Sequence, residues 1–384
     1  MQGVSLATGG ERATIQNMTK KLPIPWWSII APAMGWGLFA LNFMANPGGT
    51  LASFAWFPAL LGVALLACVL AAVHHAEVVA HRVGEPYGTL LLAVAVTVIE
   101  VGLIVSLMIS GGSATTALAR DTVFAAVMII LNGIVGLCIL VGAQRHHEQT
   151  FTLSGVSASL ATLAAIITLT LVLPNYTLTA PGPFYSASQL GFIAVVSLVL
   201  YGTFVLVQTV RHRGYFLPED AHRDADAHAE PPTARTAAVS IALLLACLGA
   251  VVLIGKSLAP SIERVVASVG APAALVGIII AAVVLMPEGL AAVRAARANR
   301  LQTSLNLALG SALATIGLTI PSVAIVSLAT GWTLTLGIDL KSTVLLVLSL
   351  MVATLSLGTG RTTVLQGVVH LVIFAVYLFT TIVP

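Results

Sequence analysis

Apolar runs of twenty or more residues follow one another along the whole chain, and short polar stretches between them hold most of the charge. A helix that spans a bilayer needs about twenty mostly apolar residues. On that test the pattern predicts eleven spans: 27–46, 54–73, 88–110, 122–143, 151–173, 189–210, 236–258, 271–293, 302–330, 334–357 and 362–383. Asp339 and Lys341 fall early in the tenth run and push the true start of its helix inward. The one substantial hydrophilic connection runs from Arg211 to Arg235, with five spans after it and five before it once the first is set aside. Five is an odd number, so the two groups enter the membrane in opposite senses, the plan of an inverted repeat.

The expected fold class is therefore an all-α polytopic membrane protein: an N-terminal helix followed by two inverted five-helix repeats. The segments are 1–26 as an N-terminal arm, 27–46 as the first span, 54–210 and 236–384 as the repeats, and 211–235 as an acidic linker. Composition agrees. Hydrophobic residues make up 58% of the chain and charged residues 8%, and the mean hydropathy is +1.03, which excludes a soluble globular domain. The net charge of +3 is scattered, so there is no clustered basic footprint for nucleic acid. Cys68, Cys138 and Cys247 lie in three different apolar runs, where they read as small buried hydrophobes rather than disulfide partners.

Lysine and arginine in the connections set the orientation. With the N-terminus cytoplasmic, thirteen basic residues fall on the inner side, among them Arg12, Lys20, Lys21, Arg82, Arg145 and Arg297, and four on the outer side, Arg120, Lys256, Arg264 and Lys341. Eleven spans then put the C-terminus outside. The stretch up to Trp26 is polar and the first long apolar run is not read as ending in a cleavage site, so no cleavable signal peptide is expected, and Trp26 and Trp27 form an aromatic anchor beside Lys20 and Lys21.

Two acids sit deep in this apolar background. Glu100 is twenty residues from Arg120, the next charge on its C-terminal side, and Glu288 follows 188 positions later. A carboxylate at mid-bilayer costs roughly 2.5 to 3.5 kcal/mol even on insertion scales, which marks such residues as functional. Each occupies the second helix of its repeat, so the repeat symmetry predicts that the two face one another and hold a cation or protons. Thr97 lies one turn before Glu100. Pro287 and Gly289 flank Glu288 and predict an interrupted helix with free carbonyls, hard donors for calcium or sodium.

The span after Glu288 carries Ser304, Asn306, Gly310, Ser311, Thr315 and Thr319, of which Ser304, Ser311 and Thr315 share a stripe and Asn306 points away. Asn132 lies in the corresponding span of the first repeat. Candidate ligands of the transported cation are thus Glu100 and Glu288, then Thr97, Asn306, Ser311 and Asn132; for each of the smaller polar residues, plain helix packing is the competing reading.

Other polar groups give less. His74, His75, Glu77 and His81 lack the i, i+4 histidine pair of a zinc protease and read as interfacial solvation. His370, alone in the last span, is either a satisfied buried histidine or a proton relay. The linker acids Glu219, Asp220, Asp224, Asp226 and Glu230 lack the glycine and terminal glutamate of an EF-hand and read as a disordered segment.

The blocks GEPYGTLLLAVAVTVIEV and PEGLAAVRAARANRLQTSLNLALGSALATIGLTIP, together with the closing GRTTVLQGVVHLVIFAVYL, resemble the ChaA-type branch of the bacterial calcium/proton exchangers, within the calcium/cation antiporter superfamily. The resemblance covers nearly all spans. It implies an eleven-helix antiporter whose paired glutamates, here Glu100 and Glu288, bind the cation and exchange it for protons. The sequence departs from the wider superfamily at Thr97 and Leu285, where asparagine is usual, and at Gly289, where some exchangers carry histidine.

The expected function is a secondary active antiporter exporting calcium, with sodium and potassium as further cargo, in exchange for protons. A sodium or potassium/proton antiporter with calcium incidental stays open, as does a cation channel. No enzyme activity and no cofactor are expected. The partners are inorganic cations, protons and the lipid bilayer of a bacterial plasma (inner) membrane, with no nucleic acid; a homo-oligomer is compatible with the sequence.

Overall fold

The structure, a computed structural model, describes residues 24–45, 56–84, 87–217 and 232–383. The N-terminal arm with Arg12, Lys20 and Lys21, and the linker acids from Glu219 to Glu230, lie outside the described residues. Among the described residues, ten helices are long and apolar enough to cross a membrane, and the helix Tyr87–Gly111 makes eleven. They are α1 Trp26–Ala45, α2 Trp56–Val83, α3 Tyr87–Gly111, α4 Leu118–His146, α5 Leu153–Tyr176, α6 Ala187–Arg211, α7 Ala234–Ser268, α8 Ala274–Arg297, α9 Leu301–Thr330, α10 Leu340–Leu357 and α11 Val364–Ile382.

Helix starts follow local chemistry. Asp339 caps α10 by accepting the Ser342 N–H at 2.8 Å, so the helix begins at Leu340, inside the apolar run, as its early charges require. Ser186 with Gln189, and Thr363 with Gln366, form reciprocal capping boxes at α6 and α11, each satisfying donors that a helix leaves orphaned at its N-terminus.

Two expectations fail on helix length and continuity. The first helix of each repeat is about ten residues longer than its apolar run: α2 has 28 residues and α7 has 35. At 1.5 Å per residue these reach roughly 42 and 52 Å, past a hydrocarbon core of about 30 Å. Polar side chains end an apolar run without ending a helix. The break expected at Pro287 is also absent, since α8 is continuous α-helix from Ala274 to Arg297. A proline removes a single donor, and the turns on either side of it stay bonded. The irregular backbone lies elsewhere, in π segments at Ile129–Ile134 in α4, Thr168–Val172 in α5 and Val207–Arg211 in α6. All three are in the first repeat.

The connections sort onto two faces. On one, Gln149–Thr150 (β1) pairs antiparallel with Arg361–Thr362 (β2), the Gln149 side-chain amide donates to the Ala296 carbonyl at 2.9 Å, and Arg82 donates to the Pro232 carbonyl at 3.2 Å. On the other, Arg120 donates to the Gly337 carbonyl at 3.1 Å and Asn175 to the Ile338 carbonyl at 2.6 Å. Among the described residues, loops that alternate along the chain are therefore joined to loops of their own parity.

Helix packing has a mirrored pattern. α2 lies against α7; α4 against α11 as α9 lies against α6; α3 against α9 as α8 lies against α4. Close approach needs glycine at equivalent crossings: a Cβ on Gly136 of α4 would sit 2.8 Å from the His370 Cβ of α11, and one on Gly317 of α9 would sit 2.7 Å from the Tyr201 Cβ of α6. The apolar interior divides accordingly. One cluster joins α1, α2 and α7, and a larger one joins α4, α5, α6, α9, α10 and α11. α3 and α8 contribute to both sides and, through Leu103, Leu107, Val276 and Val284, to a third cluster with α7.

Candidate cation site

The two deep glutamates enter from the two helices that lie between the clusters. Glu100 on α3 is buried, with 2% of its surface exposed. The hydroxyl of Thr315 on α9 donates to Glu100 Oε2 at 2.7 Å, a bond between residues 215 positions apart. Glu100 Oε1 is enclosed without a partner, as is Glu288 Oε2. Glu288 on α8 is half-buried. The helices that carry the two acids, α3 and α8, are in contact.

Local sequence makes the approach of α8 possible. A Cβ on Gly289 would meet the Ile134 side chain at 3.2 Å, and one on Gly277 would meet the backbone of Asp121 and Thr122 at 3.1 Å. α8 is thus pinned along α4 at two points, with Glu288 beside the one at Gly289. Two carboxylate oxygens are left enclosed and unpaired, one from each residue. Buried acceptors with no donor are rare in folded proteins and call for an ion, a proton or water; adjacent carboxylates cannot both stay charged cheaply. The arrangement can be neutralised by one divalent cation, by monovalent cations or by protons.

The other candidates divide. Thr97 is buried one turn from Glu100 on the same helix. Ser311 is half-buried one turn from Thr315 on α9. Asn306 is drawn elsewhere: its amide donates to the Phe216 carbonyl at 2.5 Å and its Oδ1 accepts from Gln302 at 2.9 Å, so it fastens the end of α6 to α9. Asn132 is also committed elsewhere. Its Nδ2 donates to Ser349 at 2.8 Å and its Oδ1 faces His370 Nδ1 at 3.3 Å. The structure thus brings Glu100 and Thr315 into contact, with Glu288 on the adjoining helix, and bonds Asn306 and Asn132 to other partners. Thr315 stands on the stripe legible in the sequence, yet spacing alone could not single it out from Ser304 and Ser311.

The histidines beside the basic face depart from expectation. His75 is wholly buried, with Nε2 at 3.1 Å from the Ser28 carbonyl, and the His74 ring lies 5.6 Å from that of Trp27. α1 covers them, so they are packed rather than solvated. Cys68, Cys138 and Cys247 are free and buried.

Eleven helices in mirrored packing, with paired acids at the crossing of the two halves, define a membrane ion exchanger. The chain belongs to the sodium/calcium exchanger protein family, which it matches over residues 53–210 and 239–383. It is 48% identical over 362 residues to the putative ionic transporter y4hA of Sinorhizobium fredii (strain NBRC 101917 / NGR234), covering 94% of this chain and 97% of that one. It is 38% identical over 324 residues to the sodium-potassium/proton antiporter ChaA of Escherichia coli (strain K12), covering 84% and 87%. Two solved structures share the fold: native YfkE, with a TM-score of 0.69 at 19% identity over 93% of this chain and 100% of that one, and the H+/Ca2+ exchanger CAX, with a TM-score of 0.70 at 13% identity over 94% and 89%.

Proposed function

We propose that this protein is a secondary active antiporter that moves calcium, with sodium and potassium as further cargo, out of the cytoplasm in exchange for protons. The observation that carries this reading is the pair of carboxylates on the touching helices α3 and α8, Glu100 and Glu288, each with an enclosed oxygen that accepts no hydrogen bond. A cation or protons neutralise the pair and allow the loaded site to change sides. The empty site holds two like charges away from water, and that penalty blocks reorientation without cargo. Coupling follows from this difference alone.

The moving parts are the two packing units. α1, α2 and α7 share one apolar cluster, and rocking of that unit against the larger one would open the site to each side in turn, with α3 and α8 carrying the acids at the boundary. The face with Arg82, Arg145, Arg294 and Arg297 is cytoplasmic by the bias of basic residues. The N-terminus then lies inside and the C-terminus outside a bacterial plasma membrane, and an inward proton gradient drives cation export.

A second reading, sodium or potassium/proton antiport with calcium incidental, is favoured by the name of the relative that is 38% identical. Purified protein in liposomes with an imposed pH gradient separates the two. Addition of calcium, sodium or potassium in turn is expected to dissipate the gradient, with calcium effective; dissipation by sodium and potassium alone selects the second reading. Cation flux with no proton counterflow contradicts both and describes a channel.

A further inference from the structure

A second buried polar centre lies where α4, α10 and α11 meet. Asn132 sits inside the π segment of α4, Ser349 on α10 and His370 on α11, and all three are wholly buried. The directions of their hydrogen bonds fix the histidine tautomer. Ser349 gives its hydroxyl proton to the Leu345 carbonyl at 2.6 Å, so it accepts from the Asn132 amide at 2.8 Å. The amide is thereby turned with Oδ1 toward His370 Nδ1 at 3.3 Å, and an oxygen in that place requires Nδ1 to carry the hydrogen. Nε2 is left with its lone pair, buried and without a partner.

Such a nitrogen is a base waiting for a proton. Its position is built rather than incidental. Gly136 lets α11 approach α4 closely enough to seat the imidazole, and π segments concentrate at functional places in helices. Among the described residues no charged side chain meets the ring, whose neighbours are Asn132, Gly136 and the Leu131 carbonyl. On the surrounding helices the titratable groups in or near the apolar interior are Arg120, Asp121 and Cys138 on α4, Glu288 on α8, Lys341 on α10 and Tyr377 on α11 itself; Arg120 and Asp121 pair with each other at 2.8 Å, the Cys138 thiol faces Ser304 and Lys341 is tied to the Thr380 carbonyl. The cation site borders the same stretch of α4. Ile134, two residues beyond Asn132, packs where Gly289 leaves room beside Glu288.

We infer that His370 is a proton-binding residue of the transport cycle, separate from the carboxylate pair, with Asn132 and Ser349 as positioning residues. Nε2 takes one proton from hydronium in the pathway, leaving water and an imidazolium, and returns it to water as hydronium when a cation occupies the carboxylates. The inference rests on the exchange reading above and adds a third proton-linked group to it.

The test counts protons released when saturating calcium, or sodium, is added to the purified protein in weakly buffered detergent solution with a pH dye. His370→Asn is the informative variant, because its amide can replace Nδ1–H toward Asn132 while removing Nε2; Ser349→Ala leaves the imidazole and loosens its tautomer. His370→Asn is expected to release up to about one proton fewer per cation bound than the unmodified protein and to lose one step from the pH profile of transport, and Ser349→Ala to shift that step. His370→Gln, in which the amide nitrogen stands near the Nε2 position, provides a second non-titrating variant if the first does not fold. Equal release and an unchanged profile in the histidine variants overturn the inference and leave the carboxylate reading standing. Absence of cation-linked release from the unmodified protein overturns the exchange reading and this inference with it.

Discussion

Glu100→Gln and Glu288→Gln are each expected to abolish cation movement driven by a pH gradient, while the purified variants remain folded and monodisperse. Glutamine keeps the size of the side chain and one carbonyl oxygen but removes the exchangeable charge. With one carboxylate left, the pair neither binds a divalent ion as a neutral unit nor carries its full complement of protons. Folding is expected to survive because the substitution relieves a cost: burying a charge in the bilayer is worth roughly 2.5 to 3.5 kcal/mol against the folded span. Liposome transport scored beside size-exclusion profiles checks both halves of the expectation. Robust proton-coupled transport by either variant removes the shared site.

Thr315→Val carries the second large effect. The Thr315 hydroxyl donates to Glu100 at 2.7 Å, and a hydroxyl donor favours the anionic over the protonated carboxyl. Hydrogen bonds to charged groups are worth about 1.5 to 3 kcal/mol. Loss of this one is expected to raise the half-saturating cation concentration about tenfold or more at neutral pH, since tenfold corresponds to about 1.4 kcal/mol. The sign with pH follows from competition: protons and cation seek the same oxygens, so the defect should grow as pH falls and shrink as pH rises. Thr315→Ser retains the donor and is expected to behave nearly as the unmodified protein. A valine variant with unchanged half-saturation at every pH would show that the bond does not bear on cargo.

The parts of the fold legible in the sequence are those governed by local rules. Lipid demands long apolar runs, and these mark the eleven spans; the charges at 339 and 341 push the start of the tenth helix inward, and α10 begins at Leu340 with Asp339 as its cap. Glu100 and Glu288 stand out because nothing nearby resembles them. What escaped is decided by partners distant in sequence. Asn132 bonds a serine 217 positions away and Asn306 a carbonyl 90 positions away, and no spacing rule encodes either choice. The π segments at Ile129–Ile134 and Thr168–Val172 are mostly apolar and carry no compositional mark, whereas Pro287, which does, leaves its helix unbroken. His75 shows the same limit, because a polar residue at a helix end reads as solvated until another helix covers it.

The account depends on one site being shared by unlike cargoes. Calcium binding to the purified protein, measured by titration calorimetry across a series of pH values, tests that most directly. The predicted result is an affinity that falls by about tenfold, for each proton displaced, with every unit by which the pH drops, and weaker binding on a shallower slope in Glu100→Gln. Binding of equal strength at every pH, or a slope that Glu100→Gln leaves untouched, would contradict it.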